Sequence, residues 1–273
     1  MRKKAKFADH LEHTETENTV FIDTHAHYYD RSFSEDAEQA IARAQAAGVY
    51  KMIQPDTDSR ERASLFSLSE KHPGVLYSMV GLYPGSVDEG WENEIADMMT
   101  YIPRGVVAIG EIGLDYHYSR DTADLQKRAL RAQLELAAKL NLPVNIHLRD
   151  ATEDFLGVLR ECRHLGVHGD LHAYSGSWET FCELQRLGDW SVGIGGVLTF
   201  KNSKLPEVVA RIPLEKILLE TDAPYLTPAP YRGRRNESMY IPVIAAKIAR
   251  IKACPVEEVA TITTANAVSL FKL

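Results

Sequence analysis

The chain has 273 residues, 45% apolar, 25% charged and 8% aromatic, enough for a sizeable core and for one barrel of roughly 250 residues. Its net charge of −7 argues against a protein-wide basic field, so a nucleic acid would have to be gripped locally, by a basic loop or by bound metal. No apolar run approaches the roughly 20 residues of a membrane span. Three cysteines without a CxxC pair, Cys162, Cys182 and Cys254, fit a reducing cytoplasm rather than a disulfide framework.

Residues 1–18 read as a mobile polar lead-in. Arg2, Lys3, Lys4 and Lys6 precede no apolar stretch, so no secretory signal is expected. Residues 19–273 are expected to form a single domain. Eight short runs rich in β-branched residues follow one another: Val20–Ile22, Val49–Ile53, Val75–Val80, Val106–Ile109, Pro143–Ile146, Gly169–Leu171, Trp190–Ile194 and Lys216–Leu219. Most lack strict alternation, which suits parallel strands buried on both faces. Helical patterns between them span Ser34–Ala47, Ala123–Leu140, Thr152–Cys162, Glu179–Leu187, Met239–Lys252 and Pro255–Phe271. Ser34 reads as the cap of the first of these, Gly48 as its terminator, and Pro255 as part of the first turn of the last. Alternating units predict a parallel sheet, and eight of them favour a closed (β/α)8 TIM barrel. An open doubly wound sheet is the competing layout, but no GxGxxG follows an early strand.

The strand ends carry the chemistry. The first closes with Asp23-Thr24-His25-Ala26-His27, and alternation points His25 and His27 the same way, as a metal pincer. HxH alone is weak, because histidines fall at that spacing by chance. The other ends add Glu111, His147, His172 and Asp222. Units from His25 to Asp222 average about 28 residues, near the roughly 31 that 250 residues over eight units require, so all six can converge on one barrel face. Taken singly, Glu111 and Asp222 could cap helices and His147 could be a hydrogen-bonded core histidine. Six such residues at five strand ends favour a shared centre. Four imidazoles and two carboxylates can hold one divalent cation or two, and a pair needs a bridging anion. Glu111, between the pincer and the later histidines, is the candidate bridge. The donor set suits zinc, with manganese, magnesium, nickel or cobalt as other occupants, and suits calcium poorly.

These stretches, with Gly110-Glu111-Ile112-Gly113-Leu114-Asp115-Tyr116, Asn145-Ile146-His147-Leu148-Arg149-Asp150, His172-Ala173-Tyr174-Ser175, Leu219-Glu220-Thr221-Asp222-Ala223-Pro224-Tyr225 and Arg232-Gly233-Arg234-Arg235-Asn236, resemble the TatD family of metal-dependent deoxyribonucleases. The family lies within the amidohydrolase-like superfamily, and the resemblance runs from about Val20 to the C-terminus. It implies a TIM barrel with two divalent metals, one held by His25, His27, Glu111 and Asp222, the other by Glu111, His147 and His172. It also implies hydrolysis of phosphodiester bonds in DNA, commonly from the 3′ end. One departure stands out. Where the family usually shows Gly-Val-His-Pro-His after the third strand, this chain has Gly81-Leu82-Tyr83-Pro84-Gly85. Tyr83 either donates one hydrogen bond to substrate or packs at the barrel mouth; with a pKa near 10 it is a poor proton shuttle.

The expected reaction is in-line attack of a metal-activated water on phosphorus, with Asp222 as catalytic base and Glu111 as bridge. Arg149 and Arg232 are the candidate phosphate contacts. Arg232 belongs to a loop, Thr227–Asn236, with three arginines and Tyr231. The alternative for that loop is a structural tie in which Arg232 or Arg235 pairs with Glu220 or Glu237; for Arg149 it is a pair with Asp150 or Glu153. Asp115 is expected to orient a neighbouring group. His117, His164 and His168 read as ordinary histidines. A competing function is hydrolysis of small amides, lactones or phosphoesters on the same barrel. Related enzymes of that kind often use a carboxylated lysine on the fourth strand, where this chain has Glu111. A non-catalytic metal-binding protein is the third reading. DNA is the implied partner, with no membrane and no obligate protein partner, and a monomer is the default.

Overall fold

Eight strands pair in chain order, each parallel to the next, in the computed structural model, which describes residues 19–273. The polar lead-in expected over 1–18 lies outside the described residues. The first half runs β1 (Phe21–Asp23), α1 (Ala37–Ala46), β2 (Val49–Gln54), α2 (Ser59–Lys71), β3 (Leu76–Val80), α3 (Trp91–Met99), β4 (Val106–Asp115) and α4 (Ala123–Leu140). The second half runs β5 (Val144–Arg149), α5 (Thr152–Glu161), β6 (Gly169–Leu171), α6 (Trp178–Leu187), β7 (Trp190–Ile194), α7 (Leu205–Arg211), β8 (Ile217–Leu219), α8 (Ile241–Lys252) and α9 (Val256–Phe271). The circle closes at the C-terminal ends of β1 and β8. Thr24 N–H donates to Leu219 O (3.0 Å), Asp222 N–H to His25 O (2.9 Å) and His27 N–H to Ala223 O (2.7 Å). The fold is the (β/α)8 TIM barrel that the alternating pattern predicts.

Two apolar layers hold it together. Phe21, Met52, Val80, Ile109, Ile146, Val192 and Leu219 are among the buried strand residues of the larger cluster, which also takes in the inner faces of the helices. Alternate strand residues, Ile22, Ile53, Met79, Ala108 and Leu218, form a second cluster with Phe271 of α9. The period of two thus divides β1–β4 and β8 between two apolar layers. Complete burial of each Ile or Leu contributes about 1.5–3 kcal/mol. No helix among the described residues is long and apolar enough to cross a membrane.

Several element bounds differ from the sequence pattern. Helix α1 starts at Ala37 rather than after Ser34, because Arg31–Phe33 forms a separate 3-10 turn capped by Asp30. Pro255 is the cap of α9 rather than part of its first turn. Helices α2, α3 and α7 are additional. Strand β4 runs to Asp115, well past the β-branched run that marks its start, so Glu111 lies inside the strand. There the register to β5 shifts between Ile109 and Ile112, then pairs Gly113 with His147 and Asp115 with Arg149. Gly113 makes this pairing possible: its φ is +145°, and a Cβ there would sit 1.9 Å from His147 O.

Candidate metal centre

The barrel brings all six expected residues together at the C-terminal mouth. His27 Nε2 lies 3.2 Å from Asp222 Oδ1, and His25 Nε2 lies 3.8 Å from the same oxygen. Glu111 faces three imidazoles, two of which, His25 and His172, stack with ring centroids 3.9 Å apart. Its Oε2 faces His25 Nε2 at 3.4 Å, while its Oε1 faces His147 Nδ1 at 2.8 Å and His172 Nε2 at 2.9 Å. Among the described residues, three sets have ligand atoms close enough to share a cation: His25, His27 and Asp222; Glu111, His147 and His172; and His25, His172 and Glu220.

Three of the imidazoles have their outer nitrogen fixed by an acceptor. Asn145 Oδ1 accepts from His25 Nδ1 at 3.1 Å, and the amide is oriented because its Nδ2 donates to Asp170 Oδ2 at 2.9 Å. Tyr29 Oη accepts from His27 Nδ1 at 3.2 Å while its own hydrogen goes to Pro55 O at 2.7 Å. Asp115 Oδ2 accepts from His147 Nε2 at 2.9 Å, the orienting role expected of it. A proton on each outer nitrogen leaves a lone pair on the inner one, the arrangement found around metal-ligating histidines.

His25 supplies the test of fit. It is fully buried, and its Nε2 has no hydrogen-bond partner. Burial, reinforced by the charge of His172, lowers its pKa to about 4, so the ring is neutral at pH 7. An unpartnered buried nitrogen costs about 1–3 kcal/mol. A divalent cation among His25 Nε2, Glu111 and Asp222 would use that lone pair, and the imidazole–carboxylate set suits one.

Charge points the same way. Burial opposes ionisation of Glu111, but the His172 charge and the hydrogen bonds with His147 and His172 overturn it and hold the carboxyl well below its usual range. Burial likewise opposes ionisation of Asp222 and is outweighed by the His27 hydrogen bond and the neighbouring imidazoles. Burial lowers His147, yet hydrogen bonds to Asp115 and Glu111 bring it to about 9. These surroundings call for positive charge at His147 Nδ1, and a proton and a cation compete to provide it.

The expected substrate contacts are more dispersed. Tyr83 packs edge-on to His147 (5.0 Å between centroids), and its hydroxyl donates to Asp115 Oδ2 at 3.4 Å. Burial and the charges of Glu111 and Asp115 raise its pKa, so it stays a donor. Arg149 is exposed beside Tyr118, 5.7 Å from that ring, and borders a cleft of about 230 Å³ that reaches His172. Arg232 lies 4.0 Å over Phe200 and donates to Thr227 O at 3.3 Å. Arg235 is the structural tie of the loop, bound to Asp36 and Glu237.

Glu220 corrects an expectation. Among the described residues it pairs with no arginine: it is fully buried, and its Oε1 accepts from Ala173 N–H at 2.5 Å. Burial, then the charge of Asp170, pushes its carboxyl well above normal. Glu220 follows β8 directly, two residues before Asp222, and that carboxylate at a strand end was its signal; Asn145 had one too, since alternation within β5 sets it on the face of His147. Tyr29 had no comparable sequence signal.

A parallel barrel with imidazoles and carboxylates gathered at its C-terminal mouth defines a metal-dependent hydrolase of the TIM-barrel type. The chain belongs to the TatD related DNase family, whose sequence profile matches residues 22–272. It is 39% identical to the metal-dependent hydrolase YabD of Bacillus subtilis (strain 168), over 93% of this chain and 100% of that protein. It is 35% identical to the 3′-5′ ssDNA/RNA exonuclease TatD of Pantoea vagans (strain C9-1), over 88% of this chain and 95% of that one. The crystal structure of YJJV, a TatD homologue from Escherichia coli K12, superposes with a TM-score of 0.85 at 32% identity, covering 93% of this chain and 98% of that one.

Proposed function

We propose that the protein is a two-metal phosphodiesterase that trims DNA from the 3′ end. The observation that carries this reading is the Glu111 carboxylate, whose two oxygens face different imidazoles. His25, His27, Glu111 and Asp222 would hold one cation, and Glu111, His147 and His172 the other. Zinc suits the donors; manganese, magnesium, nickel and cobalt are the other occupants. Cations bound there supply Lewis-acid polarisation of the phosphoryl oxygen and bring the pKa of a water towards about 7.

The chain's own groups do the rest. Asp222, ionised at neutral pH, accepts the water proton on its carboxylate; Oδ1 faces His25 and His27, leaving Oδ2 for it. Asp115, Asn145 and Tyr29 keep three imidazoles in one tautomer and one orientation. Tyr83 Oη and the guanidinium groups of Arg149 and Arg232 bind the phosphodiester. The exonuclease names of relatives support a nucleic-acid substrate.

Elemental analysis of the purified protein is expected to give two divalent metals per chain. Single-stranded DNA labelled at its 5′ end should shorten progressively in manganese or magnesium, and Glu111→Ala should abolish the shortening. Turnover of small esters or amides with intact DNA would select the competing hydrolase reading. Bound metal with no turnover of either would leave a binding protein.

A further inference from the structure

Tyr225, three residues after Asp222, leaves 55% of its surface exposed at the mouth of the barrel, yet it is held from several sides. Its N–H donates to Asp222 O at 2.7 Å, its carbonyl accepts from Asn236 Nδ2 at 2.5 Å, and its hydroxyl donates to Asp30 Oδ2 at 3.3 Å. Its ring centroid lies 6.2 Å from that of His27, at 65°. An aromatic face is thus presented to solvent beside the candidate metal centre, in a fixed position.

The surrounding loops are fixed to one another. Ala229 N–H, after β8, donates to Thr199 Oγ1, after β7, at 2.8 Å. Gly196 packs so closely on the other loop that a Cβ would lie 1.9 Å from Leu226 O. The joined loops carry Lys201, Arg232 and Arg234. Arg235 is engaged with Asp36 and Glu237, whereas those three cations form no ion pair among the described residues.

We propose that Tyr225 is the stacking platform for the nucleobase at the scissile bond, and that the joined loops after β7 and β8 grip the adjoining single strand through its phosphates. The inference rests on the nuclease reading and adds a base-contacting residue to it. Stacking on tyrosine tolerates any base but requires that the base be unpaired, while arginine and lysine contacts to phosphate are insensitive to sequence and weaken with salt. The contact therefore favours an unpaired terminal base of any kind, in keeping with the single-strand exonuclease names of two relatives.

The test compares kcat/KM of the metal-loaded protein on oligothymidylate and on the same strand with abasic residues at its 3′ end. Wild type is expected to prefer the base-bearing strand by about tenfold. Tyr225→Leu should bring that ratio close to one, and Tyr225→Phe, which keeps the ring, should retain it. Arg232→Ala should weaken both strands alike and flatten the salt dependence. A wild type that cleaves DNA without the preference, or a Tyr225→Leu that keeps it, overturns this inference alone. A wild type that cleaves neither strand overturns the nuclease reading, and this inference with it.

Discussion

Asn145 joins a candidate ligand to a buried acid, accepting from His25 Nδ1 and donating to Asp170 Oδ2. Replacing it with Ala frees the His25 ring and removes one fixed tautomer. Loss of such an outer partner typically costs 10–100-fold in metal affinity, and competition with a chromogenic chelator should show that drop in Asn145→Ala. Asp170 sets a pH dependence. Burial pushes its carboxyl up to about 7 against the pull of the Asn145 hydrogen bond, whereas an unfolded Asp titrates near about 3.9. Between those values the native chain keeps a proton that the unfolded chain has released. Its contribution to stability is therefore complete below about 4 and lost as pH rises through about 7. Urea midpoints in a chelator should reveal this as a slope that is shallower in Asp170→Asn; parallel slopes would assign the effect elsewhere. Tyr83 and Gly85 stand where the family usually carries histidines. The Gly85 Cβ position lies 2.5 Å from the Tyr83 ring, so position 85 has no room for an imidazole while Tyr83 holds its place. Tyr83→His is expected to raise DNA turnover, and an unchanged rate would remove the missing imidazole as a limit.

Strand β4 depends on a splint from the loop after β2. Asp56 N–H donates to Gly110 O, and Glu111 N–H donates to Asp56 O, each at 3.2 Å, where the register shifts. The Asp56 side chain is held in turn by Arg62, which is 1% exposed, through Nε at 2.5 Å, and Arg62 Nη1 reaches Asp97 at 2.5 Å. Arg62→Met leaves Asp56 buried and unpaired, a change worth about 3–5 kcal/mol. Chemical denaturation should show it, and metal content should fall as Glu111 loses its support. The splint was illegible in the sequence for a simple reason: Arg62 lies in Ser59–Lys71, where only Leu65 and Phe66 join it as buried residues, too few for a helical stripe. Glycines 110 and 113 and Glu111 likewise interrupt the β-branched run of β4, whose full length comes from pairing with β5. The strands themselves were legible because burial on both faces demands continuous apolar runs. The six candidate ligands were legible because imidazoles and carboxylates at strand ends are costly to place without a purpose. Asn145 and Tyr29 are ordinary residue types, and only proximity reveals what they hold.

Across the whole molecule, the barrel is closed by the backbones of its own candidate ligands. Asp222 N–H donates to His25 O, and His27 N–H to Ala223 O. A cation shared by His25, His27 and Asp222 would fasten first strand to last, so binding and barrel closure are linked. Metal at about 100 times its Kd adds about 2.7 kcal/mol to native stability. Calorimetry should find a lower Tm after chelation, and His25→Ala should lose most of that difference. Amide exchange at Thr24, His27 and Asp222 should quicken when metal is removed.

That seam also governs when the enzyme can exist during its own synthesis. His27 and Asp222 are 195 residues apart in the chain, so at about 5–20 residues per second the first histidines wait roughly 10–40 s on the ribosome for their carboxylate partner. A nascent or prematurely terminated chain that lacks Asp222 carries the pincer without its counterpart, and hydrolytic competence arrives only after the end of β8 has been made.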